Sequence, residues 1–147
     1  MKQNVFSFLI LLLLTVACSS SKYVTAADVN VDMVIDMQSM QPLNTQWEYI
    51  EPIYRLEIHG NEVISFLPYV WGRSIEKEKT MDMLDFTAKM RKYSSSVDRY
   101  GHKTYHFTVQ QSAYYFHFDI SINKQGTALV EISSDNCDPI SFEGKVR

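Results

Sequence analysis

The chain has 147 residues, of which 46% are hydrophobic and 21% are charged. With 5 Gly and 4 Pro it is neither collagen-like nor of low complexity, and its length fits one globular domain. Fourteen basic residues against 17 acidic ones give a formal charge of -3, so the chain lacks the basic surface typical of nucleic-acid binding. Nucleic acid is therefore not an expected partner.

The N-terminal segment has the pattern of a secretory signal. A short positive start at Met1 and Lys2 precedes an apolar run over residues 5–17, which ends at Cys18 and a serine-rich stretch. A transmembrane helix needs roughly 20 apolar residues, so this run is too short to span a bilayer. Residues 1–17 are predicted to be a signal peptide.

The small residues before Cys18 resemble the lipobox of bacterial lipoproteins, in which the cysteine thiol is acylated. The resemblance implies lipidation of Cys18 and a membrane partner reached through the lipid. Residues 18–28 are predicted to form a tether between the lipid and the domain. No acidic run follows Cys18, and its absence favours an outer-membrane lipoprotein that faces the periplasm, although exposure at the cell surface is left open. The alternative is an ordinary secretory signal that is cleaved near a cysteine. Cys137 would be the other cysteine of the mature chain, so no intrachain disulfide is expected.

Alternation of apolar and polar residues predicts β-strands in the first half of the domain. The first strand begins at Val29 and alternates as far as Met37. Residues 43–51 show no sustained period and are predicted to be a long connection. Strands follow over residues 53–58 and 63–67, joined by a loop of two or three residues at Gly60 and Asn61, and a fourth strand begins at Leu84. Residues 93–101 are expected to be a flexible connection.

Two hairpins are predicted in the C-terminal third. A two-residue turn at Gln111 and Ser112 would pair Val109 with Tyr114 and place apolar side chains on one face. A three-residue loop with Gly126 in the left-handed bulge position would pair Phe118 with Ile132. Residues 140–146 would close the sheet. The predicted fold is all-β, with residues 29–147 forming an antiparallel meander that makes a small sandwich or a partly closed barrel.

The first of these hairpins sets His106 opposite His117, with Asp119 on the same face. Two imidazoles and a carboxylate are suitable ligands for zinc, which makes a metal site the minority hypothesis. The main interpretation is a solvated outer sheet face, whose polar residues are simply the polar half of the alternation.

Sequence motifs for common enzyme classes are absent: there is no G-x-S-x-G, H-E-x-x-H or Walker loop. The chain is therefore expected to be non-catalytic and to need no cofactor. Aromatic residues suggest binding instead. Tyr69, Trp71 and Arg73 follow Pro68, where the chain is expected to leave the sheet, and Trp47 lies in the long connection. These four residues are the predicted ligand-binding set. In the alternative interpretation Tyr69 and Trp71 cap one end of the core and Arg73 forms a local ion pair.

Two segments carry a resemblance to a known family. They are residues 66–73, which run Phe-Leu-Pro-Tyr-Val-Trp-Gly-Arg, and residues 140–146, which run Ile-Ser-Phe-Glu-Gly-Lys-Val. From about Val31 onward the chain resembles DUF4251, a Bacteroidetes lipoprotein family of unknown function. The resemblance implies a secreted, lipid-anchored, all-β domain and supplies no catalytic residues. We therefore expect a non-catalytic binding module for an apolar or glycan-like ligand, or alternatively a structural or accessory protein that docks other envelope proteins through an exposed strand edge.

Overall fold

The computed structural model describes residues 29–69, 84–135 and 137–147. In these ranges the chain forms antiparallel β-strands, and no helix there is long and apolar enough to span a membrane. The strands are β1 (Asp32–Pro42), β2 (Glu48–Tyr49), β3 (Arg55–His59), β4 (Glu62–Phe66), β5 (Asp85–Val97), β6 (Lys103–Gln111), β7 (Tyr114–Ile122), β8 (Thr127–Ser134) and β9 (Cys137–Val146).

Eight of the strands form a closed barrel. They follow one another in the order β1, β3, β4, β5, β6, β7, β8 and β9, and β9 pairs back onto β1 from Ile35 with Val146 to Pro42 with Ile140. The short β2 pairs with β1 outside this ring. The predicted all-β meander is confirmed, and the strand from residue 140 onward closes it, as the sequence indicated. Closure removes the sheet edges that an open sandwich would leave.

Apolar side chains from every strand of the ring fill the barrel interior. Alternation puts every second residue inside, so Ile35, Leu56 and Val63 are fully buried. Aromatic rings form the centre of this core, with Phe107 and Phe118 stacked at 5.0 Å between ring centroids. Most polar residues of the same strands lie on the outer face of the wall, whereas Ser65 is buried and its hydroxyl donates a hydrogen bond to the carbonyl of Leu84. Packing of the inner face is therefore what stabilises the fold.

The β6–β7 hairpin corrects one predicted register. The turn lies at Ser112 and Ala113, with Ser112 at a φ of 54°, so Val109 pairs with Phe116 rather than with Tyr114. The shift is two residues, which leaves every side chain on its predicted face because the strand period is two. In the β7–β8 hairpin the predicted pairs, among them Phe118 with Ile132, are confirmed, and Gly126 has a φ of 75° as the bulge requires.

Strand β5 is longer than predicted. It continues through Val97 over the segment expected to be a flexible connection, because a bulge between Arg91 and Ser94 restores the pairing with β6. Lys92 adopts a φ of 50° at this bulge, and Tyr93 consequently points into the core. The loop at Gly60 and Asn61, for which the sequence allowed two or three residues, has two, because His59 pairs with Glu62 across it.

Candidate functional site

A groove on the outer face of the barrel is the clearest candidate site among the described residues. It has a volume of about 530 Å³, and Trp47 lines it from the loop that joins β1 to β2. The opposite wall is the outer face of β6, β7, β8 and β9. Pairing aligns one residue from each of these strands in a row across the wall, namely Thr104, Ser121, Leu129 and Glu143. We refer to this site as the Trp47 groove.

Trp47 is 44% exposed, which leaves much of its indole open to solvent at the groove. The other side of the groove is lined by the hydroxyl groups of Thr104 and Ser121 and by the carboxylate of Glu143. In the described part of the chain Glu143 forms no ion pair, so its carboxylate is available to a ligand. The groove thus combines an aromatic surface with hydrogen-bonding groups.

The β5–β6 loop supplies a fixed negative charge at the same groove. Asp98 accepts hydrogen bonds from the backbone N–H groups of Tyr100, at 2.7 Å, and His102, at 2.9 Å. Its other carboxylate oxygen lies 3.1 Å from Nδ1 of His102. These interactions, led by the backbone hydrogen bond from His102, lower the pKa of Asp98. Asp98 is therefore ionised at neutral pH and is held in place by the turn itself.

A second groove lies on the other side of the β1–β2 loop. Its volume is about 460 Å³, and the loop residues 41–45 face Asp119, Glu131 and Ser141 across it. These three residues form the next row of the wall, in register with His106 on β6. Residues of the β1–β2 loop therefore line two grooves on one outer surface, and both grooves combine polar and apolar side chains.

Of the four predicted ligand-binding residues, the structure describes Trp47 and Tyr69, and these two do not share a site. Tyr69 is 3% exposed and packs in the core, where its hydroxyl donates a hydrogen bond to the carbonyl of Asp138 at 2.9 Å. Burial raises the pKa of this phenol well above its usual range. Trp47, in contrast, lies outside the barrel wall. Tyr69 therefore caps the core, which was the alternative interpretation. Trp71, Arg73 and the lipidation residue Cys18 lie outside the described residues.

The predicted histidine pair is not formed. His106 pairs with Asp119 and contacts its carboxylate through Nδ1, whereas His117 pairs with Thr108 and lies 3.2 Å from the Thr108 hydroxyl. The two-residue register shift is the reason. Within residues 29–69, 84–135 and 137–147, no three His, Cys, Asp or Glu side chains are close enough to hold a metal ion. The structure thus gives the hypothetical zinc site at His106, His117 and Asp119 no support.

Sequence reasoning singled out Trp47 but missed the residues that face it. Thr104, Ser121 and Glu143 look like ordinary members of a polar strand face, and they lie far apart in the chain. The pairing of four consecutive strands brings them into one row. A complete register prediction from β6 to β9 would have revealed the row, although not the position of the loop that carries Trp47.

Comparison with known proteins agrees with this architecture. A solved structure of a DUF4251 family protein from Bacteroides eggerthii DSM 20697 is similar, with a TM-score of 0.59 and 12% sequence identity over 82% of this chain and 79% of that one. At this identity the likeness shows the fold alone. No curated protein matches the chain. The profile of DUF4251, a domain of unknown function, matches residues 20–146. The chain belongs to the DUF4251 family.

Proposed function

We propose that the domain is a non-catalytic binding module and that the Trp47 groove binds a glycan-like ligand. The observation that carries the proposal is the exposure of Trp47, 44%, beside a row of hydroxyl and carboxylate groups. An indole face packs against the apolar face of a sugar ring, and its neighbours exchange hydrogen bonds with the ring hydroxyls. Sugars combine both kinds of surface in one molecule.

The same observations favour a glycan over a purely apolar ligand. Around the Trp47 groove the hydroxyls of Thr104 and Thr127 already contact other side chains. An apolar ligand would still desolvate the Ser121 hydroxyl and the Glu143 carboxylate without compensation. Burial raises the pKa of the Cys137 thiol, which keeps this nucleophile protonated at neutral pH and supports a non-catalytic role.

A glycan array tests the proposal. We suggest labelling the chain from residue 18 onward with Cys18→Ala and screening soluble and immobilised oligosaccharides of several linkage types. Wild-type protein should bind a subset of glycans, and Trp47→Ala should abolish that signal. Tyr49→Ala is the matched control, because Tyr49 is 95% exposed on β2 and does not line the groove. Absence of binding to any glycan, or equal binding by Trp47→Ala, would refute the proposal.

We also propose that the protein is an envelope lipoprotein anchored through Cys18. The support is the apolar run over residues 5–17 followed at once by the cysteine. Acyl chains stabilise membrane attachment by about 0.8 kcal/mol for each buried methylene. Cell fractionation provides the test: wild-type protein should fractionate with the membrane, and Cys18→Ala protein should become soluble or stay unprocessed. Cys18→Ala protein that has lost residues 1–17 and still fractionates with the membrane as fully as wild type would contradict the anchor.

Docking through a strand edge is the second candidate function. It is favoured by β2, which lies outside the closed ring and carries the highly exposed Tyr49. An extended segment of another protein could pair with such a strand. Under this hypothesis Tyr49→Ala reduces recovery of one defined envelope protein in a chemical cross-linking experiment, whereas Trp47→Ala does not. The opposite pattern would exclude docking at β2.

A further inference from the structure

The barrel has a cavity at the end where β1 begins, on the inner side of the wall. Its volume is about 580 Å³, and it is lined by the first residues of β1, the start of β6, the end of β7 and the β7–β8 loop. Met33 and Ile122 at its floor are each 8% exposed, whereas Ile35 and Ile120, one inward position deeper, are fully buried. The outermost layer of the apolar core therefore forms the floor of the cavity.

Two lysines border this apolar floor. Lys103 pairs with Ile122 and lies on the inward-facing side of β6, beyond the packed core. Lys124 comes from the β7–β8 loop, and its stem lies so close to Gly101 that a Cβ there would be 2.9 Å from the lysine Cε. In the described part of the chain neither ammonium group forms an ion pair.

One acidic residue, Asp32, lines the cavity beside the two lysines, and its carboxylate already contacts a histidine. The Asp32 carboxylate lies 2.6 Å from Nδ1 of His59. The rim thus carries an excess of positive charge next to apolar side chains. The opposite end of the barrel differs, because the buried Tyr69 packs there and its hydroxyl is already hydrogen-bonded.

We propose that this end of the barrel binds an anionic amphiphile. The anionic head, a phosphate or carboxylate, pairs with Lys103 and Lys124, and the apolar tail covers Met33 and Ile122. Charge-assisted hydrogen bonds to a desolvated anion are among the stronger polar contacts in proteins, and the cavity volume falls within the usual range for small-molecule sites. This site lies inside the wall and is separate from the Trp47 groove.

The position of the cavity fits a ligand drawn from the membrane. The described chain begins at this end with Val29, and the Gly60 N–H donates to the Val31 carbonyl at 2.7 Å. Cys18 lies 11 residues before Val29, so an extended tether reaches at most about 40 Å. This step rests on the proposed lipid anchor, whereas binding of the amphiphile itself does not.

Calorimetric titration with dodecyl phosphate tests the site, using the chain from residue 18 onward with Cys18→Ala so that no attached lipid competes. Dodecyl phosphate should bind below its micelle concentration, and Lys103→Gln or Lys124→Gln should weaken the affinity by about tenfold or more. Lys89→Gln is the control, because Lys89 is an exposed lysine on β5 outside the cavity. Melting curves of all variants confirm that each is folded.

Two further ligands measure the contributions of the anionic head and of the apolar tail to the affinity separately. Inorganic phosphate lacks the tail, and octaethylene glycol monododecyl ether lacks both the charge and any sugar that the Trp47 groove could bind, so both should bind much more weakly than dodecyl phosphate. Equal binding of octaethylene glycol monododecyl ether, or equal affinity of the Lys103→Gln and Lys89→Gln proteins, would overturn the proposal. Vesicles of phosphatidylcholine with phosphatidylglycerol identify the source: lysine-dependent binding to vesicles assigns the anion to a bilayer lipid, and binding of monomeric dodecyl phosphate alone assigns it to a free amphiphile.

Discussion

The inner and outer faces of the barrel wall are built from the same strands but serve different purposes. On β7 the inward residues Phe116, Phe118 and Ile120 are buried among aromatic and aliphatic neighbours. Of the outward residues between them, His117 lies 3.2 Å from the Thr108 hydroxyl, and Asp119 contacts the imidazole of His106. The inner face accounts for stability, while the outer face is free to vary in chemistry and carries the Trp47 groove.

This difference means that stability and binding should respond to different substitutions. A change on the inner face creates a cavity, a clash or a buried charge, each of which costs several kcal/mol. A change on the outer face alters solvated groups and typically costs less than about 1 kcal/mol.

The largest effect is expected for Phe116→Asp. Phe116 is 2% exposed, and its ring stacks on Phe86 at 5.9 Å between centroids. An unpaired carboxylate at this position should lower the free energy of unfolding by about 3 to 5 kcal/mol. Tyr115→Asp, one residue earlier on the exposed face, should cost less than about 1 kcal/mol. Denaturant titration of both variants measures the contrast, and equal losses would mean that the faces are assigned wrongly.

Gly144→Ala should have the next largest effect, because it tests closure of the ring. A Cβ on Gly144 would lie 2.5 Å from the carbonyl oxygen of Asp36 on β1 and 3.1 Å from the Ile35 side chain. The strands would have to separate, at a cost of about 1 to 3 kcal/mol. Glu143→Ala, its outward neighbour, is the control. An unchanged denaturation midpoint for Gly144→Ala would contradict the close approach of β1 and β9.

Removal of the Tyr69 hydroxyl should have a smaller effect. Tyr69→Phe keeps the ring in the core but deletes the hydrogen bond to the Asp138 carbonyl, which should destabilise the domain by about 1 kcal/mol. Tyr49→Phe, at an exposed position, should leave stability unchanged. If both variants unfold at the wild-type midpoint, the hydroxyl of Tyr69 does not contribute to the cap.

The smallest effect concerns an outer-face ion pair. Hydrogen bonds to Glu57 and Asp32 raise the pKa of His59 above its ordinary value of 6.5. A raised pKa in the folded state means that the contribution to stability is fully present below pH 6.5 and is lost as the pH rises through the raised pKa. His59→Gln should remove this small loss of stability above pH 6.5, as measured by denaturant titration at a series of pH values. A persisting slope would assign it to other groups.

The inner face could be predicted from the sequence, and the outer site could not. Alternation at Met33, Ile35 and Phe118 specifies which residues enter the core, and Gly126 specifies one hairpin register. Serine has no strong preference for a positive φ, so the sequence did not indicate the turn at Ser112. The predicted β6–β7 register was therefore wrong by two residues, although the predicted faces were right. A shift of two preserves hydrophobic burial, which is why the apolar pattern did not detect it.

The bulge at Lys92 and the Trp47 groove could not be predicted from the sequence, because both depend on tertiary packing. Lysine has no chemical preference for a left-handed backbone, so the residue type at 92 does not mark the bulge. The position of the bulge follows instead from the packing of Tyr93 in the core. The groove depends on how the β1–β2 loop lies over β7, β8 and β9, which is tertiary information. The sequence assigned Trp47 and Tyr69 to one ligand-binding set. In the structure Trp47 is exposed at the groove and Tyr69 is buried in the core, so the two do not belong to one site.

Fluorescence of Trp47 tests the central proposal, that the Trp47 groove on the outer face binds a glycan. In a Trp71→Phe background Trp47 is the remaining indole. Its emission should be that of a partly exposed tryptophan, and a glycan selected on the array should shift the emission to shorter wavelength and protect it from acrylamide with a saturable dependence on concentration. Glu143→Ala should weaken this response without changing the melting temperature. An emission maximum of a fully buried indole, or an unchanged spectrum at saturating glycan, would contradict the account.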